Sequence, residues 1–376
     1  MDSLSEANGT FAIRVLKMLC RDNPLHNVVC SPLSISSALA VVLLGAKGDT
    51  AVQLAQALSL NTEKDIHQGF QSLLTELNKC GAQYQLRMAN RLFGENTCKF
   101  LQTFKDPCLQ FYHTELEQLS FAKAAEKCRE HINTWISKQT EGKIQELLAS
   151  NSINAHTKLV LVNAVYFKGR WDEQFDKTCT SEMPFKVNQA EQRPVQMMCQ
   201  EATFNIAYVS EVQSQVLELP YAGGALSMLL LLPAAGVDLS TVESHLTFEK
   251  LTAWTKPDFM KHTDTEVFLP RFKLQEDCDV ESVLQRLGMV DAFQEGKADL
   301  SAMSPDRGLC LSKFVHKGVV EVNEEGTEAT AASLATVVPE CCMGSCTQFC
   351  ADHPFLFFIR HNATNSLLFC GRFSSP

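Results

Sequence analysis

Apolar positions recur at helical spacing in the first part of the chain and in β-type runs later. Phe11, Val15, Met18 and Leu19 share one helical face. Residues 28–46 carry no charge and raise the question of a membrane span. Pro32 and four serines inside the stretch favour a buried helix, with Ser31 as its cap and Pro32 in its first turn. Thr50 and Gln53 form a capping-box pattern ahead of Leu54, Ala55 and Leu58. Cys128, Ile132, Trp135 and Ile136 mark another helix, ending near Gly142. Strand-type runs follow at 159–167, 215–219 and 227–232, then at 313–322 and 355–358. A short helix over 280–287 stops at Gly288. Helices mostly first and strands mostly later predict an α+β fold with antiparallel sheets.

One stretch breaks this pattern. Residues 324–342, EEGTEATAASLATVVPECC, begin with small residues and three glutamates, too little apolar surface to hold a place in a core. Gly326 at the entrance can absorb a large backbone change. Leu334, Thr336, Val337 and Val338 then make the segment strand-competent, and it lies tethered between two strand-type runs. Tethered and strand-competent describes a bait that can enter a sheet.

The composition narrows the function. With 376 residues, 45% of them hydrophobic, the chain can bury a large core, and no linker, charge block or repeat divides it. A net charge of −10 argues against nucleic acid as a partner. Fifteen cysteines at irregular spacings, behind an N-terminus without a basic-then-apolar leader, indicate a reducing, cytoplasmic and nuclear compartment. The sequons at Asn8 and Asn362 are then expected to stay unmodified. No nucleophile elbow, metalloprotease or phosphate-loop motif is present, so an enzyme reading has no support. Cys341, Cys342, Cys346, Cys350 and His353 lack paired metal-ligand spacing, and no metal or cofactor is expected. Cys341 and Cys342, if exposed, are instead candidates for oxidation.

The EEGTEA hinge resembles that of the serpins, and the resemblance extends over nearly the whole chain. SPLSIS (31–36), NAVYFKGRW (163–171), VHK (315–317), DHPF (352–355) and LFCGRF (368–373) follow in the family's order. The reactive centre resembles the intracellular clade B branch, which includes a granzyme B inhibitor with an acidic P1 residue followed by two cysteines. The resemblance implies one serpin domain over 1–376, with three sheets, eight or nine helices and a reactive-centre loop at about 324–345. The family's hinge then falls on Glu324, Glu325, Gly326, Thr327, Glu328 and Ala329. A sheet-opening shutter falls on Ser31, Ser34, Asn163 and His316, with Trp171 near the breach. Fourteen residues on from Gly326, Glu340 becomes P1 and Cys341 the residue after the cleaved bond. Val337, Val338, Pro339, Glu340, Cys341 and Cys342 become the protease-recognition segment.

The resemblance implies a monomer that traps a serine protease in a covalent 1:1 complex. Cleavage after Glu340 leaves the acyl-enzyme attached while the loop enters the large sheet. Thr327, Ala329, Ala331 and Ser333 would face inward, and only two hydroxyls among them need partners. Pro339 pre-organises the bait by fixing its own φ and pushing Val338 toward extended geometry. The Glu340 carboxylate needs a cationic S1 pocket, whereas an apolar one would leave a buried charge costing roughly 2–5 kcal/mol. Granzyme B accepts such a residue and is the expected target. Alternatives are an elastase- or chymotrypsin-like protease cut at a neighbouring bond, and a non-inhibitory binding protein.

Overall fold

The computed structural model describes residues 2–60, 65–79, 83–275, 279–327 and 347–376. The apolar stripe at the N-terminus forms α1 (Asp2–Asp22), and a short edge strand, β1 (Val28–Cys30), precedes α2 (Pro32–Gly45). The uncharged stretch is therefore a strand joined to a helix, with the break at Ser31 ahead of Pro32. Pro32 opens the helix as expected, but Ser31 makes no side-chain cap. Its hydroxyl donates to the Leu368 carbonyl at 2.6 Å, a tertiary bond chosen over the local one. Nearly every side of α2 is buried, which is why it carries no polar face. Among the described residues no helix is long and apolar enough to cross a membrane.

Next come α3 (Gly48–Ala57) and α4 (Ile66–Leu77). The capping box at Thr50 and Gln53 does not form, because α3 starts three residues earlier than that box requires, with Lys47 at the cap position. Both side chains instead serve distant backbone. Thr50 Oγ1 accepts from the Asp299 amide, and Gln53 Oε1 from the amides of Val290 and Asp291. Then follow β2 (Tyr84–Glu95), α5 (Gln102–Tyr112), β3 (Leu116–Leu119), α6 (Phe121–Gln139) and β4 (Leu159–Arg170). Gly142 lies just past α6 with φ +78°.

The middle of the chain is largely strand: β5 (Ser181–Lys186), β6 (Gln192–Val209), β7 (Ser214–Pro220) and β8 (Leu226–Pro233). Two short helices, α7 (Leu239–His245) and α8 (Phe248–Trp254), lead to β9 (Lys261–Pro270) and β10 (Phe272–Leu274). The predicted short helix is α9 (Val280–Arg286). β11 (Lys313–Asn323) and β12 (Gly326–Thr327) form a hairpin, and β13 (Thr347–Cys350), β14 (Phe355–His361) and β15 (Ser366–Phe373) complete the chain.

The fold is α+β, and its described strands join into two hydrogen-bonded ladders. One of nine strands contains β1, β5–β9 and β13–β15, and one of six contains β2–β4 and β10–β12. The three sheets implied by the resemblance appear as two because β6, 18 residues long, pairs in turn with β5, β9 and β7. The sheets are also mixed. β4–β11, β2–β3 and β9–β13 are parallel, against the antiparallel expectation.

The β4 run 159–167 reads as continuously apolar because both its faces are covered. Val160, Val162 and Ala164 pack beneath α6 with Ile132 and Ile136, while Leu159, Leu161, Val165 and Phe167 face the main core with α2. Asn163 falls on the main-core face, and this alternation places it beside α2.

Candidate functional site: a sheet that parts around a hinge

β4 and β11 run side by side in parallel register from Lys313 opposite Val160 to Val319 opposite Tyr166. Beyond that point they diverge, and the turn at Glu324 and Glu325 folds β12 back between them. Thr327 pairs with Val322 on one side and Gly169 on the other, while Gly326 pairs with Asn323 and Arg170. β12 is therefore a wedge of two residues at the open end of a parallel pair. Any lengthening of β12 along β4 must separate β4 from β11.

Four expected hinge positions are fixed tightly here. The Asn323 side-chain oxygen accepts from the amides of Glu325 and Gly326 at 3.0 and 3.2 Å, closing the turn. Gly326 has φ +148°, and a Cβ there would lie 2.1 Å from the Gly169 carbonyl oxygen, so only glycine fits. Glu324 is buried, with its backbone carbonyl taking the Phe175 amide at 2.9 Å. Its carboxylate accepts from the Thr180 hydroxyl at 2.8 Å and lies 3.7 Å from the Arg271 guanidinium. Glu325 pairs with Lys177 at 2.6 Å. Thr327 is fully buried, its hydroxyl 2.7 Å from that of Tyr221.

Trp171 supports this end of the sheet. Its indole N–H donates to the Asn323 carbonyl at 3.0 Å, and its amide donates to the Glu325 carbonyl at 3.0 Å. Its ring stacks on Tyr221, 4.6 Å away and inclined by 16°.

Ser31, Ser34, Asn163 and His316 converge below the wedge. His316 on β11 sits opposite Asn163 on β4, in the middle of the parallel stretch. Its Nδ1 bonds the Asn163 side-chain oxygen, and its Nε2 accepts from the Ser31 amide at 3.1 Å. Because Nε2 accepts, the proton sits on Nδ1, which donates. Burial pushes the imidazole down to about 3, so the ring is neutral. The Asn163 amide donates to the Ser34 hydroxyl at 2.7 Å and to the Ser34 carbonyl at 3.1 Å, and also contacts Asn90. One knot of side chains thus ties β4, β11 and the start of α2 together.

Glu328 and Ala329 of the hinge lie outside the described residues. So do Val337, Val338, Pro339, Glu340, Cys341 and Cys342, and the expected inward-facing Ala331 and Ser333. Of the metal candidates, Cys341, Cys342 and Cys346 also lie outside them. The residues that sequence reasoning missed are Tyr221, Thr180, Lys177, Arg271 and Asn90. Each reaches the site from a distant element, and no local pattern marks it.

The site is thus a two-residue wedge in an open parallel pair, with a polar knot of side chains below it. The family model "Serpin (serine protease inhibitor)" matches residues 6–376, and the chain belongs to that family. It is 73% identical to Serpin B9 of Homo sapiens and 58% identical to Serpin B6 of Pongo abelii, covering all of each chain. It also resembles the solved structure of uncleaved ovalbumin, with a TM-score of 0.90, 36% identity and full coverage of both chains.

Proposed function

We propose that this chain is an intracellular inhibitor of serine proteases, a single serpin domain acting as a monomeric suicide substrate. The observation that carries the reading is the wedge: β12 already occupies the first two positions between β4 and β11. The target protease's serine attacks the Glu340 carbonyl, the Cys341 amine leaves with a proton, and Glu340 stays bound as an ester. The segment from Thr327 onward then extends β12, which satisfies backbone groups along β4 and β11 as these strands part. Dragged with the loop, the protease cannot complete hydrolysis.

The target that suits an acidic P1 residue is granzyme B, held in a covalent 1:1 complex in the cytoplasm and nucleus. A carboxylate in an S1 pocket needs a cationic partner, and Arg offers a bidentate one. In the test, the protein is mixed with active granzyme B, the products are separated on a denaturing gel, and the released C-terminal peptide is weighed. A covalent band with a peptide beginning at Cys341 is expected. Cleavage at that bond without a covalent band would overturn the trapping step, and an uncut loop would overturn the assignment of granzyme B.

A further inference from the structure

Thr327 of the hinge brings a hydroxyl into a fully buried position, where a polar group needs a partner. The structure supplies a specific partner for that hydroxyl. Tyr221 lies just past β7, with its ring boxed between Trp171 and Phe167; the latter ring is 5.2 Å away, edge-on at 85°. An isolated backbone bridge to Trp171 fixes its main chain. The phenol is buried, and burial raises its pKa, so it remains a neutral donor and acceptor. Its oxygen is aimed at Thr327, whose backbone is held by Val322 and Gly169.

We infer that Tyr221 is a positioning residue for the trapping reaction. Its hydroxyl docks Thr327 in the mouth of the sheet, so that strand extension starts from a seated first residue. This rests on the insertion reading proposed above. It deepens that reading by assigning the choice between trapping and turnover in part to one hydroxyl pair.

The physical argument is kinetic. After acylation, two processes compete: extension of β12 and hydrolysis of the ester. An unseated first residue must be ordered again before the second can pair, and nucleating steps of this kind are the unfavourable ones. Losing one such buried hydrogen bond shifts a local docking equilibrium by about 2- to 10-fold. Tyr221→Phe removes one hydroxyl and keeps the stacking, whereas Thr327→Val removes the other and keeps the shape.

The test combines both single variants and their double with two readouts. Hydrogen exchange of the free protein over residues 324–327 reports docking without any protease. The fraction of granzyme B trapped against inhibitor consumed reports partitioning. Each single variant should exchange about 2- to 10-fold faster at the hinge and consume correspondingly more inhibitor per protease trapped. The double variant should be no worse than either single one, the signature of a shared bond. Thermal unfolding confirms that the variants are folded. Strictly additive effects, or lowered unfolding temperatures with unchanged hinge exchange and partitioning, would overturn the proposal. If the unmutated chain traps no protease, the insertion reading fails. The exchange readout alone then judges whether Tyr221 docks the hinge.

Discussion

His316 and Asn163 face each other across the parallel β4–β11 pair, imidazole Nδ1 to amide oxygen, at the level where the sheet must open for β12 to lengthen. The same ring receives the Ser31 amide, so it can keep both bonds only while neutral. Burial holds it down at about 3 against an ordinary 6.5. The unfolded chain takes up a proton near 6.5, and the folded chain resists until about 3. The stability from this site is therefore complete above about pH 6.5. It is lost as pH falls through the window down to about 3, by up to about 1.4 kcal/mol per pH unit. Urea unfolding midpoints should fall between pH 7 and 5, and the His316→Gln variant should fall less. His67 and His361 are also lowered by burial and remain in both proteins, so the difference between the curves isolates His316. Parallel curves would refute the assignment.

Gly326→Ala should separate binding from trapping. A Cβ at φ +148° points at the Gly169 carbonyl from 2.1 Å, so β12 must leave its place between the strands. A strain of about 1–3 kcal/mol is expected at such a position. The variant should still be cut at the reactive bond but release more active protease, measured as inhibitor consumed per protease inactivated. Unchanged stoichiometry would mean that the wedge plays no part in insertion.

Much of this arrangement was legible in the sequence, for identifiable reasons. Periodicity located α6 and α9 because their apolar faces meet the core, and Gly142 and Gly288 both adopt positive φ beyond them. Family motifs placed Ser34, Asn163 and His316 together, although no spacing rule links 34, 163 and 316. Local rules failed where a side chain preferred a distant partner. Ser31 turns to Leu368, and Thr50 and Gln53 serve a segment some 240 residues away. A capping box is worth about 1 kcal/mol, and buried backbone amides left without acceptors cost as much or more. Tyr221, Thr180 and Arg271 were invisible for the related reason that the hinge's partners are assembled by the fold.

Trp171→Phe tests the indole donor apart from the ring. Stacking on Tyr221 can survive, but the Asn323 carbonyl loses its 3.0 Å bond at the mouth of the sheet. The expected loss is about 1–3 kcal/mol of stability with little change in the slope of the denaturant curve. A loss below a few tenths of a kcal/mol would show that water replaces the donor.

Glu324 offers a test of whether charge or hydrogen bonding secures the hinge. Its carboxylate meets the Thr180 hydroxyl at 2.8 Å but the Arg271 guanidinium only at 3.7 Å, and the Arg271 side chain is half exposed. An ion pair with one exposed partner contributes about 0–1 kcal/mol and is screened by salt. A buried charge-assisted hydrogen bond contributes about 1.5–3 kcal/mol. Glu324→Gln keeps an acceptor for Thr180 and should cost little. Glu324→Ala strands that hydroxyl and should cost more, while Glu324→Lys adds repulsion from Arg271 and should cost most. Unfolding midpoints at low and high salt decide between the two terms. The Ala penalty should be nearly the same at both if the Thr180 bond dominates, whereas a penalty that shrinks steeply with salt would give the role to Arg271.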